Sequence, residues 1–194
     1  MKRNALLHQL VTHENTFDFI VIGGGATGLG IALDAITRGA SVALFEQDDF
    51  TKGTSSRSTK LVHGGVRYLA QGDVSLVLEA LRERGLLRKN ASHLVKNQSF
   101  LIPCYRWWEG AFYTIGLILY DLMAANLGFG RSFCIGPKRA VKTIPMLRKK
   151  GMKAGVIYHD GQFDDSRLAI NIAQTAVDAG ACVLNYMKVT NLIK

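Results

Sequence analysis

The chain has 194 residues, 48% hydrophobic and 20% charged, which is the balance of a globular protein and not of a disordered one. Its net charge of +9 comes from dispersed basic residues without a nucleic-acid-binding motif, which disfavours a nucleic-acid partner and favours an anionic substrate or a membrane surface. The three cysteines, at positions 104, 134 and 182, lack the spacing of a metal site and predict free, buried thiols in a reducing compartment.

The N-terminal segment, residues 1–16, has a short apolar core that His8 and Gln9 interrupt. It is too short and too polar for a secretory signal peptide. Apolar residues recur in it at helical spacing, at positions 6, 7, 10 and 11, so we predict a short helix that docks on the rest of the protein. We expect the main domain to run from residue 17 to residue 194.

Residues 17–46 predict a βαβ unit of the kind that binds nucleotides. An apolar strand over Phe17–Ile22 runs into the glycine-rich turn Gly23–Gly28, and a helix follows over Leu29–Arg38. A second strand over Ser41–Phe45 ends at an acid, Glu46. The agreement of strand, turn, helix and terminal acid favours a dinucleotide site over a purely structural turn.

Each part of the turn has a physical task in such a site. Gly23 makes the tight turn, Gly25 lets a pyrophosphate approach the backbone, and Gly28 lets the helix lie against the strand. The helix N-terminus directs N–H groups and a positive dipole end at the phosphates. Glu46 can accept hydrogen bonds from the ribose hydroxyls and argues against NADP, but NAD and FAD stay open. The cofactor-binding residues predicted here are Gly23, Gly25, Ala26, Thr27, Gly28, Glu46 and Gln47.

A second segment, GTSSRSTKLVHGGVRYL at residues 53–69, alternates small hydroxyl residues with the bases Arg57 and Lys60. Hydroxyls and backbone N–H groups can satisfy a pyrophosphate or a sugar chain. The paired glycines Gly64 and Gly65 could let the backbone pass flat beneath a ring system. From the residues alone, a solvated polar loop is an equally good interpretation.

The middle of the chain reads as largely helical. A helical stretch opens at Asp73, and Ser99–Ile102 reads as a short strand that Pro103 stops. Residues 107–129 are the most apolar window, but their uninterrupted run is shorter than a membrane crossing requires. We expect a helix that packs as ordinary core, with contact of its aromatic residues with a lipid surface as the alternative.

The last part of the chain returns to alternating strands and helices. It reads as a short helix and basic turn over 137–150, a strand over Gly155–His159, a helix over Asp164–Ala179, and strands over Ala181–Asn185 and Lys188–Ile193. The order predicts an α/β fold, a doubly wound Rossmann-like domain with a helical insertion at about residues 73–150.

Three blocks together closely resemble the FAD-dependent glycerol-3-phosphate dehydrogenases, which are membrane-associated respiratory enzymes. They are FDFIVIGGGATGLGIALDAITRGA, DDFTKGTSSRSTKLVHGGVRYL and HDGQFDDSRLAINIAQTA, and the resemblance covers residues 17–194. The first block is shared with many flavin oxidoreductases, whereas the second is much more specific. The resemblance implies that the chain ends before most of the substrate domain.

The resemblance also implies a chemistry and a set of residues. FAD would oxidise glycerol 3-phosphate to dihydroxyacetone phosphate and pass electrons to quinone or another acceptor. Arg67 and Tyr68 would face the substrate, and His63 would act either as a base or as a hydrogen-bonding partner of the flavin. The residues expected along FAD in this segment are Thr54, Ser55, Ser56, Ser58, Lys60, Leu61, His63, Gly64 and Gly65.

Other interpretations stay open at this point. The chain could be an inert flavin-binding fragment, or another FAD-dependent amine or hydroxy-acid oxidoreductase of the same fold. From the resemblance to the glycerol-3-phosphate dehydrogenases we expect a cytoplasmic protein that is peripheral on the inner face of the cell membrane. A homodimer is a further expectation. Asp164, Asp165 and Arg167 match the family, but we expect a structural role for them as a helix cap and an ion pair.

Overall fold

A computed structural model describes residues 1–12, 16–69 and 71–193, and of Arg67 and Leu69 it describes only the backbone. The glycine-rich turn lies between a strand and a helix. Two short 3-10 helices occur at Thr54–Ser56 and Ala125–Leu127. The other elements are α1 (Arg3–Thr12), β1 (Phe19–Ile22), α2 (Ala26–Thr37), β2 (Val42–Phe45), β3 (Leu61–Val62), α3 (Val66–Leu69), α4 (Val74–Asn90), β4 (Lys96–Cys104), α5 (Glu109–Ala124), β5 (Phe133–Ile135), α6 (Pro137–Thr143), β6 (Ala154–Gln162), α7 (Asp165–Asp178) and β7 (Cys182–Leu184).

The chain divides into two units, Met1–Lys60 with Asp164–Lys194, and Leu61–Phe163. The first unit contains a parallel sheet in the order β1-β2-β7. Helices α2 and α7 pack on one face of this sheet through alanines, among them Ala32 and Ala173, which let the helices approach closely. Helix α1 covers the other face through Leu6. Helices on both faces of a parallel sheet are the doubly wound α/β arrangement that the sequence predicts.

Strand β1 is an edge of this sheet within the described chain, where it pairs with β2. Its side chains are unusually exposed for a parallel strand, since Phe19, Ile20 and Ile22 are 51%, 61% and 58% exposed. Strands of parallel sheets are normally buried on both faces. The sheet is therefore open to extension at β1.

The second unit is built on an antiparallel sheet around β6. Strand β4 pairs with β6 along its whole length, from Lys96 opposite Gln162 to Cys104 opposite Ala154. Strands β3 and β5 pair with the two ends of β6 on its other side. Helices α4 and α5 contact each other and form a buried cluster that includes Leu81 and Tyr120.

The structure corrects several sequence-based expectations. Within residues 73–150, β4 is longer than the strand predicted at Ser99–Ile102, and β5 is a strand that the sequence analysis did not predict. Pro103 lies inside β4 and does not stop it, because β4 is an edge strand, where a missing N–H need not break a ladder bond. Residues 188–193 form no strand, since the chain leaves the sheet after Leu184 and no strand among the described residues pairs with them. Cys134 is exposed, although Cys104 and Cys182 are buried as expected.

In α1 and α5, the apolar sequence pattern predicts the buried residues only in part. In α1, Leu6 is buried against the sheet, whereas Val11 is 84% exposed, and residues 13–15 of the predicted docking segment lie outside the described residues. Helix α5 buries Leu117, Tyr120 and Ala124 but exposes a second apolar face. That face, which we call the α5 apolar face, consists of Phe112, Ile115, Ile118, Leu119 and Leu122.

Candidate functional site

The glycine-rich turn has a conformation that only glycine tolerates at two positions. Gly23 has a left-handed φ of +114° and donates its N–H to the Phe45 carbonyl oxygen at 2.9 Å. A Cβ on Gly28 would lie 2.1 Å from the Gly23 carbonyl oxygen, which is backbone and cannot move aside. These contacts bring the start of α2 against the end of β1, as a phosphate-binding turn requires.

The N-terminus of α2 is suited to bind an anion. Its N-cap is Gly25, which has no side chain to cap the first turn. The first N–H groups of a helix have no partner inside the helix, and the helix dipole adds a positive potential there. One of them, from Ala26, donates to Ser55 Oγ at 3.3 Å, which ties the loop of residues 53–60 to this end of α2.

The Glu46 carboxylate is fixed at the turn by two backbone groups. Its Oε2 accepts the Gly24 N–H at 2.7 Å, and its Oε1 accepts the Asp48 N–H at 2.8 Å. Each carboxylate oxygen can accept two hydrogen bonds, so both keep capacity for a sugar hydroxyl. Glu46 therefore has a structural task at the turn, and the ribose-binding role that the sequence predicts stays a prediction.

A cavity of about 370 Å³ opens beside the turn in the first unit. This volume lies in the range of small-molecule sites. Five of its lining residues are among the predicted cofactor ligands, namely Gly25, Glu46, Gln47, Thr54 and Ser55. The others are Asp48, Thr51, Lys52, Gly53 and Arg57, which the sequence-based assignment leaves out.

Among these additional residues Thr51 is the most unusual. It is 6% exposed and has a left-handed φ of +65°, a conformation that is strained for a β-branched residue. Its N–H donates to the Gly24 carbonyl oxygen at 3.0 Å, and its carbonyl oxygen accepts the Ser56 hydroxyl at 2.6 Å. Strain of this kind costs about 1–3 kcal/mol and concentrates at ligand-binding sites. No feature of the sequence signals it, because it depends on tertiary contacts.

The loop of residues 53–60 is held at its far end by the start of α7. Ser58 donates its hydroxyl to the Asp165 carboxylate, and Lys60 Nζ lies 3.3 Å from Asp164 Oδ1. Asp164 also caps α7 by accepting the N–H groups of Ser166 and Arg167. The Arg167 N–H and the Lys60 ammonium lower the pKa of Asp164. Ser58 and Lys60 thus fix the shape of the loop through these contacts, and their predicted roles toward a cofactor stay predictions.

Thr27 lies in the first turn of α2, and the predicted residues from Leu61 onward lie in the second unit. Leu61 is half-buried in β3, opposite Gln162. Tyr68 is 42% exposed, whereas the side chain of Arg67 lies outside the described part of the chain. His63 is exposed, and its Nδ1 accepts the Gly65 N–H at 3.1 Å. This hydrogen bond assigns the proton of the neutral imidazole to Nε2. The outward nitrogen of His63 is therefore a donor, which favours a hydrogen-bonding role over that of a general base.

Comparison with known proteins agrees with this geometry. The profile described as FAD dependent oxidoreductase matches residues 18–194. The chain belongs to the FAD-dependent oxidoreductase family. The family membership fits the glycine-rich turn, the acid at the end of β2 and the cavity beside them, and it establishes FAD as the dinucleotide that the turn alone left open.

The chain is also similar to individual glycerol-3-phosphate dehydrogenases, as its motifs suggest. It is 47% identical to the mitochondrial enzyme of Homo sapiens over 96% of this chain and 27% of that protein. It is 46% identical to the mitochondrial enzyme of Saccharomyces cerevisiae over 100% of this chain and 31% of that protein. The glycerol-3-phosphate dehydrogenase of Bacillus halodurans, solved in complex with FAD, matches with a TM-score of 0.72 and 35% identity, over 100% of this chain and 30% of that one. The chain thus spans less than a third of these relatives.

Proposed function

We propose that this chain is the FAD-binding portion of an FAD-dependent glycerol-3-phosphate dehydrogenase, which oxidises glycerol 3-phosphate to dihydroxyacetone phosphate and passes electrons to quinone or another acceptor. The observation that carries the proposal is the combination of a built dinucleotide site with 47% identity to the human enzyme over 96% of the chain. The resemblance of segment 53–69 to the glycerol-3-phosphate dehydrogenases favours this function over that of another FAD-dependent amine or hydroxy-acid oxidoreductase of the same fold.

FAD fits the residues of the first unit. Its pyrophosphate would lie at the N-terminus of α2, over Gly25, and the ribose of its adenosine half would hydrogen-bond Glu46. The cavity also contains Lys52 and Arg57, two cations that can offset phosphate charge. Bound FAD supplies the hydride-accepting chemistry, which no amino-acid side chain offers. The protein contributes binding, orientation and charge.

Residues of the second unit would serve the substrate side. His63 carries its proton on the exposed Nε2 and can donate a hydrogen bond to an oxygen of the flavin or of the substrate. Tyr68 has an exposed side chain that a small phosphate ester can reach. The net charge of +9 would attract a dianionic substrate to the protein.

Replacing Glu46 with alanine is expected to weaken FAD binding by about 1–2 kcal/mol, or roughly 5- to 30-fold in Kd, because one ribose hydrogen-bond pair is lost. The Kd would be measured from quenching of flavin fluorescence. Asp34→Ala removes a carboxylate from the exposed surface of α2 and is the matched control, for which we expect an unchanged Kd. Equal Kd values for Glu46→Ala and the unsubstituted protein would remove Glu46 from the ribose site.

A chimera tests the proposed activity. Residues 1–194 would replace the matching segment of the Saccharomyces cerevisiae enzyme, to which they are 46% identical over their whole length. We expect the chimera to bind FAD and to bleach the flavin absorption when glycerol 3-phosphate is added without oxygen, whereas glycerol has no effect. The 194 residues alone are expected to show no oxidation of glycerol 3-phosphate. A chimera that holds FAD but is not reduced would contradict the proposed activity.

We further propose that the protein is cytoplasmic and peripheral on the inner face of the cell membrane, where the α5 apolar face contacts lipid. By length and composition alone, Glu109–Leu127 could cross a membrane. Its opposite face, however, is packed into the second unit, where Leu117 and Tyr120 are buried. Trp107, which precedes α5, is 86% exposed, and the Arg106 guanidinium lies 5.9 Å from the Trp108 ring centroid. Tryptophan beside arginine is typical of a lipid headgroup boundary.

Vesicle binding tests this location. The double substitution Ile115→Ser with Leu122→Ser is expected to reduce binding to phosphatidylglycerol-containing vesicles by about tenfold or more, because two exposed apolar side chains are lost. The matched control is Leu76→Ser with Leu78→Ser, two exposed leucines on α4. Co-sedimentation would be measured for both. Vesicle binding that survives the α5 substitutions, or no binding by the unsubstituted protein, would contradict lipid contact through α5.

A further inference from the structure

The second unit buries an ionic group that the proposed function does not use. Arg84 on α4, Tyr120 on α5 and Asp160 on β6 are 1%, 1% and 3% exposed. We call these three residues the buried triad. Charged side chains are seldom fully buried, because removing them from water is costly unless they are paired.

The triad is connected by hydrogen bonds. Arg84 Nη1 donates to Asp160 Oδ1 at 2.7 Å and to the Tyr120 hydroxyl oxygen at 3.2 Å. The Tyr120 hydroxyl donates to Asp160 Oδ2 at 3.3 Å. Burial, with the Asp160 carboxylate, raises the pKa of Tyr120 far above its usual range, so the hydroxyl keeps its proton. The guanidinium also lies over the Phe129 ring, 4.8 Å from its centroid.

One contact leads out of the triad to a turn. The Gly64 N–H donates to the Tyr120 hydroxyl oxygen at 2.8 Å. Because Arg84 and the Gly64 N–H can only donate, the hydroxyl proton must point to Asp160, and both lone pairs are used. The hydroxyl is therefore saturated in a single orientation. A Cβ on Gly64 would lie 2.4 Å from this oxygen and 2.4 Å from Leu81 Cδ2, so glycine is required for the approach.

The turn continues to His63. Gly65 follows Gly64 with a left-handed φ of +71°, and its N–H donates to His63 Nδ1. The position of Gly64 thus determines where the Gly65 N–H points, and that N–H determines which nitrogen of His63 carries the proton. The triad, the two glycines and the histidine form one continuous chain of contacts.

Packing alone does not explain the triad. Phenylalanine at position 120 would fill nearly the same space, and a buried ion pair is often no more stable than apolar residues of the same volume. The triad is not even fully satisfied, since Arg84 Nε has no partner among the described residues. Among the described residues, two backbone N–H groups donate to the triad. The Gly161 N–H donates to Asp160 Oδ1 at 3.1 Å, and the Gly64 N–H donates to the Tyr120 hydroxyl oxygen.

We propose that Tyr120 is a positioning residue, held by Arg84 and Asp160, which fixes the turn of residues 63–65 and so presents His63 with its proton on Nε2. The relevance of this positioning to the flavin rests on the proposed function. In that setting the Nε2–H of His63 would serve as a hydrogen-bond donor to the flavin or to the substrate.

Tyr120→Phe tests the proposal because it removes a single oxygen. We expect hydrogen exchange of the Gly64 amide to accelerate by about tenfold or more. We also expect the imidazole ¹⁵N chemical shifts to show that His63 no longer holds one tautomer. Tyr113→Phe, two turns earlier on α5, is the matched control and should change neither readout. A protected Gly64 amide with an unchanged His63 tautomer in Tyr120→Phe would overturn the proposal.

Two further measurements keep the outcomes distinct. If Tyr120→Phe fails to fold, Gly64→Ala separates the turn from Tyr120, because its Cβ would lie 2.4 Å from the Tyr120 hydroxyl oxygen, and the same loss of the His63 tautomer is expected. The flavin spectrum and FAD affinity of Tyr120→Phe then separate the two proposals. If the tautomer is lost but both flavin readouts are unchanged, Tyr120 positions the turn as inferred, and the proposed place of the turn beside the flavin is wrong.

Discussion

Gly28→Ala is expected to lower the free energy of unfolding by about 1–3 kcal/mol and to abolish FAD binding. The new Cβ would lie 2.1 Å from the Gly23 carbonyl oxygen, closer than any non-bonded contact allows. The turn and the start of α2 must then move apart, and the N–H groups that would face the pyrophosphate lose their positions. Urea unfolding and quenching of flavin fluorescence measure the two effects.

Gly30→Ala is the matched control for this prediction. Gly30 lies on the same helix, and a Cβ there would meet nothing within 4 Å. Because alanine has a higher helix propensity than glycine, we expect stability to rise by about 0.4–1 kcal/mol and FAD binding to persist. Similar losses for Gly28→Ala and Gly30→Ala would show that the close approach of Gly28 to Gly23 is not what the site depends on.

Asp160→Asn is expected to destabilise the protein by about 3–5 kcal/mol, because it leaves the Arg84 guanidinium buried without a counter-charge. The two side chains are 4% and 1% exposed and lie 2.7 Å apart. Asparagine keeps the shape of the side chain, so the loss would report charge and hydrogen bonding rather than a cavity. The midpoint of urea unfolding would fall sharply.

The surface pair Arg38–Asp34 provides the control for this buried pair. It has a similar distance of 2.8 Å, but its side chains are 74% and 64% exposed. Exposed ion pairs contribute little because water and salt screen them. We therefore expect Asp34→Asn to leave the unfolding midpoint nearly unchanged. A small effect of Asp160→Asn, comparable with that of Asp34→Asn, would show that the Arg84–Asp160 pair does not stabilise the second unit.

The features that the sequence predicts well are local. The βαβ unit of residues 17–46 is encoded by consecutive residues, and the structure places β1, α2 and β2 within a few residues of the predicted bounds. The same is true of α7, whose N-cap Asp164 precedes an apolar helical pattern. Glu46 and Ser55 line the cavity beside the turn, and their roles toward FAD stay predictions from a fingerprint and a family resemblance.

The features that the sequence does not predict depend on distant partners. The local pattern at Pro103 predicts the end of a strand, but the strand continues because β4 lies at an edge of the sheet. Thr51 adopts a left-handed conformation because of contacts with Gly24 and Ser56, which no local pattern reveals. Arg84 reads as one of many solvated bases on a helix, yet it is buried against Asp160, which is distant in the sequence. These features thus depend on contacts between residues that composition and motif spacing do not reveal.

Titration of the purified protein with FAD tests most directly whether this chain builds a flavin site. We expect flavin absorption bands that shift on binding and quenched flavin fluorescence, with weaker binding in Glu46→Ala and none in Gly28→Ala. An FAD spectrum that stays identical with and without the folded protein would contradict the site described at Gly23–Gly28 and Glu46.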